Sequence, residues 1–508
     1  MLTKVCGWGL FATEAYPVEI EVDVTRGLPF TNIIGLADTA VKESKERVKA
    51  AIKNSGYKWP SEKITVNLAP SDIRKEGSYF DLAIAIGILG SSAQINTKYL
   101  EEFCFLGELS LEGALRRISG ALPIAMAMPN RKIYKLVLPI ANAKEAALVE
   151  QINALPVSTL CEAIELLHNP EFRLPYKLDT CGIFKQGAVY PLDFSEVKGQ
   201  FLAKRAIEVA VAGGHNILMI GPPGSGKSML AGRIPGIMPQ LTLQEALEVT
   251  KIHSVAGMID SEEGFIGRRP FRNPHHTASN IALVGGGSSI RPGEISLAHQ
   301  GVLFLDELPE FHRDCLEALR QPLEERIIRI SRANKFFTFP ASFMLVAAMN
   351  PCPCGYLTHP KKVCRCGTSK VQNYIGRISG PLLDRIDIHI DVPAARYQEF
   401  SSSLPAESSA DIKKRINKAR SIQLGRFQNE NIFHNAQMNH KQVRKFCFLG
   451  KDENELLKSA ITELNFSARA YDKILKVSRT IADLAGSEDI KTEHLSEAVQ
   501  YRCLDRNF

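Results

Sequence analysis

Hydrophobic and polar positions alternate with two different periods in the first third of the chain. Residues 18–24 and 63–68 alternate strictly, which predicts half-buried strands. Residues 38–52 have apolar positions at helical spacing, and residues 80–89 are apolar almost throughout, which indicates a buried helix or strand. This mixture predicts an α/β domain over residues 1–175.

The rest of the chain has different patterns. A stretch with Pro and Gly, residues 176–191, is the predicted linker. Residues 192–400 alternate apolar strands with helices, a pattern typical of a parallel α/β sheet. Residues 401–508 are helical throughout after a Ser-rich turn, with Ser467 and Thr492 as predicted helix N-caps. The fold class expected is therefore a multidomain α/β protein.

Composition is that of an ordinary folded protein. The 508 residues are 45% hydrophobic and 23% charged, which excludes wholesale disorder. The longest apolar stretch, residues 80–90, is too short to span a membrane, so no membrane partner is expected. Four of the 11 cysteines fall within residues 352–366 and the others are scattered. Because this cysteine spacing is not that of a disulfide framework, we expect the protein to be located in the reducing cytoplasm.

A phosphate-binding loop follows the apolar strand at residues 217–220. Its sequence, GPPGSGKS, matches G-x-x-x-x-G-K-[ST] between a strand and a helix. Backbone N–H groups of such a loop point at phosphate oxygens, and the helix N-terminus adds partial positive charge. We expect ATP here, with Lys227 at the β- and γ-phosphates and Ser228 as a Mg²⁺ ligand. The predicted nucleotide-binding residues are Gly221, Pro222, Pro223, Gly224, Ser225, Gly226, Lys227 and Ser228.

Two later strands end in polar residues that would complete this site. The apolar residues 302–305 precede Asp306 and Glu307, at the strand end where open α/β sheets bind ligands. Asp306 is predicted to hold Mg²⁺, and Glu307 to polarise the attacking water. The strand at residues 343–349 ends at Asn350, predicted to contact the γ-phosphate or the water; an ordinary strand-ending turn is the alternative.

Two arginines are candidates for stabilising the charge that develops during phosphoryl transfer. Arg385 lies between Asp384 and Asp387, and Arg469 lies early in a predicted helix. The residues alone leave two other interpretations equally open: an ion pair for Arg385 with one of these aspartates, and a surface charge for Arg469.

Together these motifs resemble an AAA+ ATPase and, within that superfamily, the ComM/YifB group of magnesium-chelatase-like proteins. The resemblance implies an AAA+ P-loop α/β core and a C-terminal α-helical lid. It also implies that Arg385 is an arginine finger acting in trans on a neighbouring subunit, that Arg469 is the sensor-2 arginine, and that the chain forms a homo-hexameric ring. Residues 193–200 resemble the stretch beside the adenine. The resemblance covers nearly the whole chain and rests on the stretches at 213–216, 271–277, 292–299, 305–311, 345–355 and 380–387.

The same resemblance implies a function. It is that of an ATP-dependent DNA helicase or translocase, which promotes branch migration when incoming DNA recombines during natural transformation. Related magnesium-chelatase subunits use the same motor on a porphyrin-inserting complex. The alternative is therefore an AAA+ ATPase that remodels a protein partner.

The N-terminal α/β domain resembles the catalytic domain of Lon protease, a ribosomal S5 domain 2-like fold. In the matching stretches, Tyr79 stands where the nucleophilic serine belongs and Leu122 where its lysine partner belongs. Ser78 offers a hydroxyl, but no partner base is visible beside it, and a hydroxyl nucleophile needs one. We expect this domain to lack the protease dyad and to contact DNA or neighbouring subunits.

One stretch carries the basic excess of the chain. Residues 313–377 contain 11 Lys/Arg and 4 Asp/Glu, a difference of +7 that equals the net charge of the whole chain. Two short predicted strands flank the polar turn 331–335, in which Arg332 and Lys335 are candidates for contacting DNA phosphates. Hairpins at this place in related ring motors line the pore, as does the helix-2 insert that residues 284–289 resemble. A solvated turn is the alternative.

The four clustered cysteines have the spacing C-x-C-x9-C-x-C. They are Cys352, Cys354, Cys364 and Cys366. Four thiolates hold Zn²⁺ tetrahedrally, although C-x-C departs from the usual C-x2-C. A small structural zinc site is predicted in addition to ATP and Mg²⁺, with four reduced thiols as the alternative.

Overall fold

The computed structural model describes residues 2–178, 190–287, 290–332, 335–359, 361–394, 406–430, 432–464 and 468–502. The predicted N-cap Ser467, the turn around residues 401–403 and much of the predicted linker lie outside these residues. By its contacts the chain divides into two compact units. Both units contain a sheet and helices, so the protein is a mixed α/β multidomain chain.

The first unit contains residues 1–186, 243–267 and 289–292. Its mixed sheet has seven strands, which in spatial order are Phe30–Ile34, Lys63–Ala69, Glu14–Thr25, Leu2–Phe11, Phe103–Phe105, Lys135–Pro139 and Asn153–Val157. Shorter strands are Glu108–Leu109, Leu115–Arg116 and Arg291–Pro292. The helices are Thr39–Asn54, Asp81–Ser91, Ala121–Ala127, Ala143–Ala146, Leu160–His168 and Leu243–Val255.

Local sequence explains the helices of the first unit. The Asp38 side chain accepts a hydrogen bond from the Val41 N–H at 2.8 Å and so caps Thr39–Asn54. The ambiguous apolar run is the helix Asp81–Ser91, which is buried on every side. The helix begins at Asp81, whose carboxylate is buried. The Arg47 Nε lies 2.8 Å from Asp81 Oδ2 and provides a countercharge for it. Burial nevertheless raises the pKa of Asp81 to about 6.

The segment 243–267 belongs to the first unit although it follows the phosphate loop in sequence. Its helix, Leu243–Val255, contacts the helix Ala121–Ala127. The Gly120 N–H donates to the Ser254 carbonyl at 3.0 Å, and the Ser254 hydroxyl donates to the Glu145 carboxylate. The sequence of this segment does not distinguish it from the surrounding 192–400 region. Its place in the first unit therefore follows from the structure and not from the sequence.

The residues at the predicted protease positions are in the first unit. Leu122 is fully buried, and Tyr79 packs on Phe80 with ring centroids 4.9 Å apart. Contrary to the expectation that Ser78 has no partner, its hydroxyl donates a hydrogen bond to the Glu108 carboxylate, which also lies 3.5 Å from Arg116. The absence of a protease dyad stays a prediction.

The second unit contains residues 187–242, 268–288 and 293–508. Its five-stranded sheet has the spatial order Phe271–Arg272, Val302–Leu305, Met344–Met349, Ile217–Ile220 and Ile388–Asp391. Further strands are Gly285–Gly286, Ile327–Arg332 and Lys335–Pro340. The helices up to residue 383 are Phe201–Gly213, Lys227–Ile237, Asn280–Val284, Glu294–Leu297, Arg313–Ala318, Arg320–Glu325, Thr368–Ile375 and Gly380–Leu383.

All neighbouring strands of this sheet pair in parallel. The strands Ile217–Ile220, Val302–Leu305 and Met344–Met349 are fully buried, as near-continuous apolar runs predict. Because the strands are parallel, their carboxyl ends meet at one edge of the sheet. The phosphate loop, Asp306 and Asn350 all follow strands at that edge.

The predicted hairpin is present, but its turn is shorter than expected. Ile327–Arg332 and Lys335–Pro340 pair antiparallel, and the last pair in the register is Arg332 with Lys335. Pairing therefore extends to the two predicted DNA-binding residues, where five turn residues were expected. The remaining turn residues, 333 and 334, lie outside the described residues.

In the described part of the chain after residue 406, the α-helices are Ser409–Arg426, His440–Phe446, Lys451–Leu464, Ala468–Ala485 and Thr492–Gln500. The prediction that Thr492 is an N-cap is wrong by one residue, since Lys491 is the cap and the Thr492 hydroxyl donates to Glu453 at 2.8 Å. These helices share a hydrophobic core with the parallel sheet. Among the residues that the structure describes, no helix combines the length and apolar character needed to cross a membrane.

Candidate nucleotide site

The phosphate loop connects the strand Ile217–Ile220 to the helix Lys227–Ile237. Gly224 and Gly226 have φ of +76° and +87°, a conformation that favours glycine. A Cβ at either glycine would meet nothing within 4 Å, so open space surrounds the loop where phosphates would lie. The loop geometry fits a polyphosphate.

Lys227 lies inside the loop. Its ammonium group donates to the carbonyls of Gly221 at 2.7 Å and Pro222 at 3.0 Å. Burial lowers its pKa, although the nearby Asp306 and Glu307 carboxylates act in the opposite direction. A buried cation held at this place is suited to the charge of β- and γ-phosphates.

Ser228 and Asp306 meet at the mouth of the loop. The Ser228 hydroxyl donates to Asp306 Oδ2 at 2.6 Å. A hydroxyl and a carboxylate are the oxygen ligands that Mg²⁺ takes beside a nucleotide, where water and phosphate complete its shell. The pair predicted from sequence therefore forms, and its donor set fits Mg²⁺.

Asn350 lies near Lys227, and Glu307 directly follows Asp306 in the chain. The Asn350 Oδ1 is 3.4 Å from Lys227 Nζ, which brings the predicted γ-phosphate contact beside the loop. Glu307 has φ of +53° and its N–H donates to Asp306 Oδ1 at 2.9 Å. The Glu307 side chain is about half exposed, which leaves its carboxylate accessible to water.

One contact at Glu307 was missed from sequence. His276 Nδ1 lies 3.3 Å from Glu307 Oε2. The His276 ring also packs on His275, with centroids 4.1 Å apart, and meets the edge of Phe311. The sequence feature that could have indicated this contact is the pair of histidines soon after the edge strand Phe271–Arg272. That strand pairs with Val302–Leu305, which ends two residues before Glu307. Parallel pairing brings the ends of these two strands together.

Arg385 is paired with other residues of its own chain. Its guanidinium donates to the Glu324 carboxylate and, at 2.5 Å, to the Pro381 carbonyl. Glu324 thus takes the place that Asp384 or Asp387 has in the ion-pair alternative. The Arg385 side chain is only 12% exposed.

The 213–216 stretch holds the backbone at Arg385. Asn216 Nδ2 donates to the Arg385 carbonyl at 3.1 Å, and Asn216 Oδ1 accepts from the Leu345 N–H at 2.9 Å. His215 lies 3.2 Å from Asp387 and 2.9 Å from Thr480. This short stretch therefore connects the Arg385 segment to the sheet and to the helix Ala468–Ala485.

Arg469 is exposed and pairs with Asp384 at 3.6 Å. From the same helix, Lys473 pairs with Asp387 at 3.0 Å. Burial acts to raise the pKa of Asp387, but Lys473 and His215 outweigh it and hold that pKa far below its usual range. The helix of Arg469 is thus joined to the Arg385 segment by two carboxylates.

Residues 193–200 lie against the helix that follows the phosphate loop. The Arg233 Nε donates to the Asp193 carbonyl at 2.8 Å. Asp193 also accepts from the Ser409 N–H at 3.2 Å, and the Gln200 side chain donates to the Ser225 carbonyl at 3.3 Å. This segment therefore contacts both the loop and the start of the C-terminal helices.

The remaining predicted residues fall into two places. The four cysteines form one cluster in which all four sulfur atoms lie within 4.8 Å of one another. Arg332 and Lys335 are opposite each other in the hairpin backbone.

Three protein-family models match the chain. Residues 193–400 match a model described as magnesium chelatase, subunit ChlI. Residues 20–142 match the model for subunit ChlI of Mg-chelatase, and residues 406–502 match the model for the C-terminal part of that subunit.

Proteins from several bacteria are similar to nearly the whole chain. The competence protein ComM of Haemophilus influenzae is 44% identical over 96% of this chain and 95% of its own. The uncharacterized protein YifB of Escherichia coli is 43% identical over 97% and 95%, respectively. The magnesium-chelatase 67 kDa subunit of Chlorobaculum tepidum is 26% identical over 31% of this chain and 23% of its own.

Proposed function

Because the chain belongs to the ComM/YifB family, whose members have magnesium-chelatase-like domains, we propose that it is a ring-forming, ATP-driven DNA motor. In this proposal it acts in the cytoplasm as a homo-hexameric helicase or translocase. Its task is to promote branch migration when incoming DNA recombines during natural transformation. The observation that carries the motor is the convergence of Lys227, Ser228, Asp306 and Asn350 at one sheet edge.

The side chains around the loop divide the work of ATP hydrolysis. Lys227 and the backbone N–H groups hold the β- and γ-phosphates, while Asn350 fixes the γ-phosphate or the attacking water. Ser228 and Asp306 would hold Mg²⁺, which neutralises charge on the phosphates. Glu307 accepts the proton of the water, and its carboxylate lies 3.3 Å from His276 Nδ1.

Arg385 and Arg469 complete the site from outside the loop. Arg385 of one subunit would reach the γ-phosphate held by the next subunit, and Arg469 would contact the nucleotide from the helical lid. Their partners in this structure are Glu324, which is exposed, and Asp384, which is partly exposed. Ion pairs near the surface are weak, so exchanging the Arg469–Asp384 pair for a phosphate costs little.

Support for DNA as the load comes from charge and from a relative's name. The basic excess of the chain lies in residues 313–377, which include the hairpin. One relative that covers nearly the whole chain is named a competence protein. A magnesium-chelatase subunit is similar over a shorter part, which keeps a protein-remodelling ATPase as the second candidate.

We expect DNA to stimulate ATP hydrolysis by the full-length protein. Single-stranded and branched DNA should raise the turnover number above its basal value, and salt should diminish the effect because phosphate contacts release counterions. Steady-state hydrolysis with and without DNA measures this. A polyanion such as heparin is the control, and hydrolysis that is indifferent to DNA would favour a protein partner.

Replacing Arg332 and Lys335 together by Ala is expected to weaken DNA binding and to flatten its salt dependence while basal ATP hydrolysis is kept. Each phosphate contact that is lost lowers the slope of log affinity against log salt by about 0.7 to 0.9. Fluorescence anisotropy with labelled DNA at several salt concentrations measures both.

The control for this variant removes the same charges elsewhere. Lys441 and Arg444 are exposed on the helix His440–Phe446. Replacing both by Ala should leave DNA affinity unchanged. If the hairpin variant binds DNA as wild type does, the pore assignment of the hairpin is wrong.

A further inference from the structure

The four clustered cysteines have the spacing of a metal site. Three sulfur pairs are separated by 3.4 Å (Cys352–Cys354), 3.7 Å (Cys352–Cys364) and 3.6 Å (Cys354–Cys364). A disulfide would need about 2.05 Å. Four sulfurs at about 2.3 Å from one Zn²⁺ in a tetrahedron lie about 3.8 Å apart, close to the distances seen.

Hydrogen bonds to sulfur support the same interpretation. The backbone amides of Tyr356 and Arg365 lie near the Cys354 sulfur. The Cys364 sulfur accepts from the Cys366 N–H at 3.4 Å. Backbone donors that point at sulfur stabilise thiolates rather than thiols, and a metal ligand must be a thiolate.

The surroundings of the cluster also suit a charged metal site. Two backbone turns bring the cysteine pairs together, and Lys361, Lys362 and Arg365 lie between or beside them. These cations offset the negative charge of a zinc ion with four thiolates. Lys362 is also fixed over the Tyr356 ring, with its Nζ 4.7 Å from the ring centroid.

This loop lies directly against the phosphate loop. Gly355, which follows the first cysteine pair, has φ of +79°. A Cβ at Gly355 would lie 2.5 Å from Pro223 Cδ and 2.7 Å from Pro223 Cγ. Only a glycine permits this approach, so the cysteine loop limits the movement of the Pro223 side of the phosphate loop.

A second connection runs from the other end of the loop to Asn350. The helix Thr368–Ile375 starts two residues after Cys366, and its buried Tyr374 lies beside the Asn350 backbone. The cysteine segment thus begins at Asn350 and returns to it. Asn350 is the residue whose side chain lies 3.4 Å from Lys227.

We propose that Cys352, Cys354, Cys364 and Cys366 bind one structural Zn²⁺, and that the metal-held loop supports the phosphate loop and Asn350 so that ATP affinity depends on zinc. The second part rests on the ATP site proposed above. The first part stands without it, because the metal content is measured independently of any nucleotide.

Metal analysis of the purified full-length protein tests the site. Wild type is expected to contain about one zinc per chain. The double variant Cys354→Ser with Cys364→Ser should lose it, whereas Cys161→Ser, at an exposed free cysteine of the first unit, should keep it. Wild-type protein without zinc, or with iron in its place, overturns the assignment.

Two glycine variants test the connection to the nucleotide. Gly355→Ala is expected to keep zinc but to weaken binding of a fluorescent ATP analogue about tenfold or more, because the new methyl group displaces Pro223. Gly367→Ala follows the other cysteine pair and is the control, since a Cβ there meets nothing within 4 Å. Equal affinity for wild type and the Gly355→Ala variant would contradict the connection.

Reversible zinc removal gives a readout that does not depend on any substitution. Treatment of wild type with a chelator should lower its affinity for the ATP analogue, and added Zn²⁺ should restore it. Affinity that is unchanged after zinc is lost rejects the connection while leaving the metal site intact. Zinc-containing protein that binds no ATP analogue would instead reject the proposed function.

Discussion

The Arg385→Ala variant is expected to hydrolyse ATP about 10³- to 10⁵-fold more slowly than wild type, the range for loss of an arginine finger. Its affinity for ATP should change little, because Arg385 pairs with Glu324 and does not contact the phosphate loop of its own chain. The Arg385 Nε is buried and, within the described residues, has no hydrogen-bond acceptor. A phosphate held by a neighbouring subunit would supply one.

Two controls separate a finger from an ordinary surface arginine. Arg377 also pairs with one carboxylate, Glu310, at 2.6 Å, so Arg377→Ala removes the same kind of ion pair from a more exposed arginine and should keep near-normal turnover. Mixing the Arg385→Ala chain with an inactive Glu307→Gln chain should recover part of the activity. An interface with an intact Glu307 on one side and an intact Arg385 on the other then exists, and no recovery would exclude action in trans.

Replacing Glu307 by Gln is expected to lower ATP turnover about 10²- to 10⁴-fold while ATP and Mg²⁺ still bind. The amide keeps the shape of the side chain but cannot accept the proton of the attacking water. The hydrogen bond from Lys227 to the Pro222 carbonyl and the hydrogen bond from Ser228 to Asp306 do not involve the Glu307 side chain. Single-turnover hydrolysis and equilibrium binding of a labelled nucleotide measure the two effects separately.

The matched control for this change is Glu310→Gln, three residues further along. It makes the same chemical change at a carboxylate that pairs with Arg377. Turnover should stay close to wild type in this variant. A Glu307→Gln chain that hydrolyses ATP at the normal rate would mean that another group activates the water.

The arrangement of the candidate nucleotide site could be predicted from sequence because its determinants are local. The phosphate loop is one continuous stretch, and Asp306 and Asn350 each follow a buried strand. Parallel strands bring such residues to one edge, so their proximity follows from the strand pattern alone. The hydroxyl–carboxylate contact between Ser228 and Asp306 is the result.

Contacts that depend on tertiary packing could not be predicted in this way. The pairing of Glu324 with Arg385 and of His276 with Glu307 joins residues far apart in sequence, and charge alone allowed many partners. The hydrogen bond from Ser78 to Glu108 is of the same kind. The hairpin turn was expected to be longer because the paired residues next to it, Ser331, Arg332 and Lys335, are polar like turn residues.

The segment 243–267 has a consequence for how such a protein can be divided. The chain leaves the second unit after residue 242 and returns at residue 268. No single junction therefore separates the two units, and a gene fragment starting near residue 190 would encode a helix whose buried Ala246, Val249 and Ile252 have lost their partners. The two units alternate at the junctions 186/187, 242/243, 267/268, 288/289 and 292/293, so exchange of either unit between genes requires coordinated breakpoints at all of them, which favours inheritance of the whole chain as one module.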